Sequence, residues 1–600
     1  MNFERSELLA PAKNMECLIK VIQHGADSVY MGYPEFNARM HGKNFSVQEF
    51  KTGVEYAHKN NVKVYLTLNT LIKESEINRV LKYAEQAIKD GVDAILVQDV
   101  GLASLLHLYF PKTKLHASTQ MTIANHYGTQ ILKKIGFDRV VLARELNKQE
   151  IIRIYNIDCS IELEIFIHGG LCIGYSGQCF ASTFCAHYAA NRGLCKMPCW
   201  SDYILLKDKE VLDKGVLIRP RDLCGLKILD KELLKCVSAF KIQGRLRSSS
   251  YISKIVDVYR KSIDDIRKNQ FEEKKIMQYE EELLSVSERG LTYGNLALGG
   301  CKNLIMDSEE KKAIEVIPSM LNDKSEKIYD SRSEKNISVL LQTINENYNY
   351  SKLDSKIYRI YIPYCFFLQK EIEEIIKNIC NRYQTYIYMP NMILERNIEE
   401  VYNSIEIIMK KYVIKGIVLS NMSDLALIYK YRDYNLHYIC NFPLHIMNHF
   451  SAEAMKTAGA NEGTLSLENS VNENKEIIFH TDFPLEQIVY GHPALMHMKY
   501  CVLEGKNECG NCLKEQCKES TINYSLAGDN YFDLQIEKWQ TTTVLYSKKI
   551  LSIAQHNWIG NTVRIDFLNE NIEEMNRIIT DLKEGYYYTG DLYKNTICTE

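Results

Sequence analysis

Short apolar, β-branched runs alternate with stretches of helical periodicity through roughly the first 250 residues. The runs predict strands at Glu7–Ala12, Ser28–Gly32, Lys63–Asn69, Ala94–Asp99, Lys114–Gln120, Arg139–Glu145, Leu163–Gly169 and Ala239–Gly244. Between them the 3.6-residue period predicts helices over Val47–His58, Ile77–Lys89 and Gln149–Tyr155. The first seven strands start roughly 20 to 35 residues apart, the length of a βα unit. Eight such strands predict an α/β fold, a (β/α)8 TIM-like barrel. A doubly wound open sheet is the competing topology, but no Gly-rich dinucleotide fingerprint follows the first strand. Helices are expected again over Ser250–Gln270 and Gln278–Arg289.

The second half repeats the first. NHYGTQILKKIGFDRVVLARELN from Asn125 matches NHFSAEAMKTAGANEGTLSLENS from Asn448, an offset of 323. Glu145 and Glu468 keep that offset, as do Lys241 and Arg564. LEIFIHGG is matched with EQIVYGHP. A second, divergent barrel-like repeat follows, with strands expected at Ile337–Gln342, Ile357–Pro363, Thr385–Pro390, Gly416–Ser420, Leu436–Pro443, Gly463–Glu468, Gln487–Gly491 and Thr562–Asp566. The expected domains are a catalytic barrel over 1–300, a charged linker over 301–336 and the repeat over 337–600.

Composition narrows the class. Six hundred residues exceed one hydrophobic core. With 46% hydrophobic and 25% charged residues, long disorder is not expected. A net charge of −3 means nucleic-acid binding would need a local basic patch. The opening MNFERSELLAPAKN lacks the pattern of a signal peptide, and no run of about 18 apolar residues occurs, so a cytoplasmic protein without membrane contact is expected. Eighteen cysteines there point to metal or redox chemistry before disulfides.

Five of them follow the seventh strand in ELEIFIHGGLCIGYSGQCFASTFCAHYAANRGLCKMPCW. Cys172, Cys179, Cys195 and Cys199 form a candidate soft-metal set for zinc or an iron–sulfur cluster, with Cys185 left over. A second candidate set, Cys501, Cys509, Cys512 and Cys517, has a CxxC core suited to a structural zinc or another cluster. Polar residues gather at the strand ends, where a barrel carries its chemistry, among them Asn69, His116, Gln120, Arg144, His168, Lys241 and Arg245.

At Glu164, Phe166, His168, Gly169, Cys172, Gly177, Cys179 and Ser182 the chain resembles the collagenase-like peptidase family numbered thirty-two among peptidases of unknown type. Asn191, Arg192, Gly193, Cys195 and Cys199 fit a second motif of that family. So do ELLAPA at Glu7, GADSVYMG ending at Gly32, Asn37–Arg39 and Lys241–Arg245. Gln243 departs from the usual Glu. The resemblance implies an oxygen-independent hydroxylase with a four-iron four-sulfur cluster on four such cysteines and, for RNA substrates, prephenate as oxygen donor. Targets in the family include a tRNA wobble uridine and a cytidine of large-subunit ribosomal RNA. The length and duplicated layout resemble the ribosomal-RNA enzyme most. The family name leaves a peptidase as the alternative.

On this reading His168, Glu164, Lys241 and Arg245 are the catalytic candidates. Arg39, Asn69, His116, Gln120, Arg144 and Arg192 are the substrate-binding ones, arginine being suited to a dicarboxylate. RLRSSSYISKIVDVYR, from Arg245 to Arg260, is the candidate RNA patch.

Overall fold

The computed structural model describes residues 6–207, 210–297, 303–306, 327–329, 335–503, 524–528, 531–537 and 542–588. Cys509, Cys512 and Cys517 lie outside the described residues.

Eight parallel strands close the first barrel: Glu7–Pro11, Ser28–Met31, Lys63–Leu68, Ala94–Val97, Lys114–Ala117, Arg139–Val141, Glu162–Gly170 and Ala239–Ile242. The last pairs with both the first and the seventh. Several strands stop short of the polar residues that end the apolar runs, because those residues turn the chain. Asp99, for example, caps the helix Val100–Tyr109 by accepting from the Leu102 amide at 2.8 Å. The helices are those the period predicts: Val47–Lys59 and Ile77–Lys89 bury one face each against the sheet.

The second half closes a second eight-stranded parallel barrel: Asn336–Leu341, Arg359–Pro363, Gln384–Tyr388, Ile414–Leu419, His437–Cys440, Glu462–Thr464, Leu485–Gly491 and Thr562–Phe567. One expected alignment needs correcting. Lys241 pairs with Phe166 as Arg564 pairs with Ile488, so the seventh strands align at an offset of 322. Glu164 is therefore the counterpart of Glu486, and Gly169 of Gly491. Both strand pairs carry a bulge at the equivalent place, opposite Lys241–Ile242 in the first barrel and between Ile488 and Tyr490 in the second.

Each barrel encloses a layer of buried charge. In the first, Arg139 meets Glu7 at 3.1 Å and Glu164 at 3.5 Å, and Lys241 meets Glu164 at 2.8 Å. In the second, Arg359 meets Glu462 at 2.7 Å and Glu486 at 3.1 Å, while Arg564 pairs with Asp566 at 2.7 Å. The sixth strand thus carries Arg139 in one barrel and Glu462 in the other, with the opposite partner moved to another strand.

The barrels meet about a pseudo-twofold. Asn125 caps the helix His126–Ile135 and donates to the Ile393 carbonyl at 2.8 Å. Asn448 caps His449–Thr457 and donates to the Ile72 carbonyl at 2.9 Å. His126 and His449 face Glu395 and Glu74 in the same way. The segments between the seventh and eighth strands also join. Tyr203–Lys207 and Glu210–Gly215 of the first half form one antiparallel sheet with Ala494–Met498, Tyr524–Ala527, Tyr531–Glu537 and Thr542–Ser547 of the second. Within the expected linker, Lys327–Tyr329 pairs with Tyr586–Tyr588. No helix among the described residues is long and apolar enough to cross a membrane.

Candidate active site

The cysteine loop leaves the seventh strand at Gly169 and Gly170, at the C-terminal end of the first barrel. Gly169 has φ +102, and a Cβ there would lie 2.2 Å from the Gln243 carbonyl oxygen. Both barrels then grip the loop. Thr122 of the first donates to the Ser176 carbonyl at 2.6 Å. His445 of the second meets the Gly177 carbonyl at 2.7 Å. These two residues hold equivalent left-handed positions in the repeat, with φ 56 and 55. Gly177 itself packs so closely that a Cβ would lie 1.8 Å from the Gln120 carbonyl oxygen. Further along, the buried Glu468 carboxylate of the second barrel accepts from Thr183 at 2.7 Å and Asn191 at 2.9 Å.

Held this way, four of the loop's thiols come within electrostatic reach of one another. Cys179 is pushed up by burial and then by Cys195, Cys199 and Cys172. Cys199 is raised by burial, then by Cys172 and Cys195. Cys195 is raised by burial and also by Cys172. Cys185 is raised by burial but feels Lys549 and none of the four. Cys172 is the exception. Burial acts upward on it, yet Arg144 and Arg39 with an Arg144 hydrogen bond bring its thiol below the ordinary value. Cys172 and Cys195 are solvent-exposed, while the surrounding protein still penalises their thiolates. Among the described residues no three Cys, His, Asp or Glu side chains are gathered closely enough for a single ion. The donors offered by the four thiols are all sulfur, the chemistry that soft metal centres take.

Arg144 and Arg39 stand beside Cys172, and Arg245 stands beside Arg39. Arg144 donates to the Gly170 carbonyl at 3.3 Å and to the Ser176 hydroxyl, and lies over the Phe166 ring at 5.5 Å. Arg245 bonds Thr67 at 3.1 Å and the Asn44 side chain. The Nε atoms of both are buried without a partner among the described residues. Arg39 bonds the Ala38 carbonyl at 2.9 Å. Asn69 donates to Gln120 at 3.3 Å, which joins these two at the rim.

Other candidates are placed elsewhere. Arg192 is committed to Glu76 by two bonds of 2.8 Å and braces the loop. Glu164 and Lys241 pair inside the barrel, with Lys241 4.8 Å from the Tyr30 ring. Burial brings Lys241 below its ordinary value despite Glu164. His116 lies deep against Tyr65, 4.7 Å between rings, and burial followed by Arg139 holds it neutral. His168 faces the helix Ser249–Arg267, 3.3 Å from both Tyr251 and Tyr259. Burial, then Arg247, brings it down to about 3. The expected RNA patch is corrected by the same helix. Tyr251 and Tyr259 are buried, and Arg247, Lys254 and Arg260 are paired with acids. Cys501 is buried. Glu468 and Glu145 were visible as repeat anchors, but no local signal marks Glu468 as a loop brace, because its partners lie 277 and 285 residues away.

The profile of Peptidase family U32 matches residues 13–300 and 362–575. An uncharacterised protease of Methanocaldococcus jannaschii is 35% identical over 48% of this chain and 72% of its own. The 23S rRNA 5-hydroxycytidine C2501 synthase of Escherichia coli is 37% identical over 44% of this chain. The tRNA hydroxylation protein P1 of Bacillus subtilis is 35% identical over 44% of it. The chain spans 40% and 64% of the length of these two relatives.

Proposed function

The chain belongs to Peptidase family U32, and from that premise we propose that it hydroxylates an RNA base without molecular oxygen. The substrate class is a cytidine of ribosomal RNA or a uridine of transfer RNA, as the names of two relatives suggest. The proposed cofactor is a four-iron four-sulfur cluster, and the proposed oxygen donor is prephenate. One observation carries the reading: four thiols stand on one braced loop at the C-terminal end of the first barrel, with Cys172 beside Arg144 and Arg39.

Cys172, Cys179, Cys195 and Cys199 would hold the cluster, which when bound supplies redox and Lewis-acid chemistry. Arg39, Arg144 and Arg245 bind and orient a dicarboxylate, since planar guanidinium groups match carboxylates. The buried Nε atoms of Arg144 and Arg245 still lack acceptors among the described residues. Lys241 and Glu164 form a buried pair beneath this site that fixes charge inside the barrel. Asn69 and Gln120 offer amide groups at the rim for a base edge. The test is purification without oxygen. The expected product is brown, with iron, sulfide and broad visible absorbance, and a colourless, zinc-only protein contradicts the proposal.

A peptidase is the second reading. It is favoured by the lowered Cys172 thiol, since a thiolate is the nucleophile such chemistry needs. His168 does not serve as its base, because that ring is bonded to Tyr251 and Tyr259. Iodoacetamide labelling of Cys172 with loss of peptide cleavage would support it, and absence of cleavage in a cluster-free preparation would dismiss it.

A further inference from the structure

A cavity of about 960 Å³ opens over the second barrel. Its walls come from the segments that follow the strands Asn336–Leu341, Arg359–Pro363, Gln384–Tyr388 and Thr562–Phe567, so it occupies the C-terminal end, where barrels take their ligands. Its lining is unlike that of the first barrel. Tyr348, Tyr364, Phe366, Tyr388, Phe442 and Tyr546 supply aromatic surface. Gln342, Asn345, Asn391 and Asn569 supply amides. The charged lining residues are Glu346, Glu371 and Glu570, and no Lys or Arg lines the cavity among the described residues.

The arginine beneath it is already neutralised. Arg564, counterpart of Lys241, holds Asp566 by two bonds of 2.7 and 3.0 Å. The first barrel's arginines Arg39, Arg144 and Arg245 thus have no equivalent among the described residues lining this cavity. A phosphate or carboxylate here would meet three glutamates and no cation, while a flat ring would meet aromatic faces and amide edges. His497 adds a specific contact. Its Nε2 faces the Asn391 amide at 3.2 Å, and its buried Nδ1 has no partner among the described residues.

We propose that the mouth of the second barrel binds a planar nitrogen heterocycle, uncharged or cationic, whose bound portion carries no phosphate or carboxylate. The occupant would lie against the cysteine loop. Tyr175, between Cys172 and Cys179, lines the cavity, bonds Thr542 at 2.9 Å and donates its amide to the His497 carbonyl at 2.9 Å.

Calorimetric titration of the full chain with cytidine, adenosine and their 5′-monophosphates tests this. At least one nucleoside is expected to bind saturably, with its monophosphate about tenfold weaker or worse. Tyr348→Ala and Asn391→Ala are each expected to weaken nucleoside binding by about tenfold, the scale of one lost stacking or edge contact. Lys89→Ala, on the exposed end of the helix Ile77–Lys89, is expected to leave it unchanged. The proposal is overturned if neither nucleoside binds, or if the monophosphate binds as tightly. It is also overturned if both cavity variants keep their circular dichroism and bind like the parent. Because the readout is binding alone, failure here leaves the iron and sulfide test of the first barrel untouched.

Discussion

Arg359 is 1% exposed, and although burial opposes its charge, Tyr361, Glu462 and Glu486 hold it above the ordinary arginine value. Its guanidinium is forked onto Glu462 at 2.7 Å twice and reaches Glu486 at 3.1 Å. Removing one partner of such a buried group strands the others, so Arg359→Met is expected to lower stability by about 3–5 kcal/mol in urea unfolding. Glu7 makes the matching pH case in the first barrel. Burial opposes its charge, but Arg139 and Lys63 outweigh burial and bring it to about 2 from 4.5. Its folded value lies below its unfolded one, so its contribution is complete above about pH 4.5 and lost as pH falls through about 2. Acid titration followed by tyrosine and tryptophan fluorescence should show this loss, and Arg139→Met should remove the protection. Residues of this kind were only partly legible in the chain. The four cysteines announce themselves by clustering within one loop. The partners Glu164 and Lys241 lie 77 residues apart, and only the register of the closed barrel pairs them.

The element that joins structure to chemistry is the loop from Cys172 to Cys199. Its position after the seventh strand was readable from the apolar run and the glycines that end it. Its bracing was not, because Glu468, His445 and Leu495 reach it from the other half of the chain. The hairpin Tyr203–Lys207 and Glu210–Gly215 is not legible for the same reason, since Tyr203–Lys207 is completed by Tyr524–Ala527. Glu468→Ala strands the Thr183 and Asn191 donors at a cost of about 1.5–3 kcal/mol to local order. Hydrogen exchange over 181–192 should quicken, and iron content should fall without global unfolding. Serine substitutions sort the thiols. Cys179→Ser should abolish most of the visible absorbance, whereas Cys185→Ser should retain it, because Cys185 stands apart from the four.

At the scale of the molecule, the repeat was legible because caps must recur where helices recur: Asn125 and Asn448 start equivalent helices. The same two asparagines cross the interface, donating to Ile393 and Ile72, which no sequence period could indicate. The two barrels differ in what their mouths offer: thiols and arginines in one, aromatic rings and acids in the other. The first is therefore the proposed seat of hydroxylation, and the second holds its loop in place. The most direct measurement is mass mapping of nucleosides in ribosomal and transfer RNA from a strain lacking this chain. The account predicts loss of one hydroxylated pyrimidine nucleoside, restored by the intact chain but not by Cys179→Ser. An unchanged nucleoside profile would contradict it.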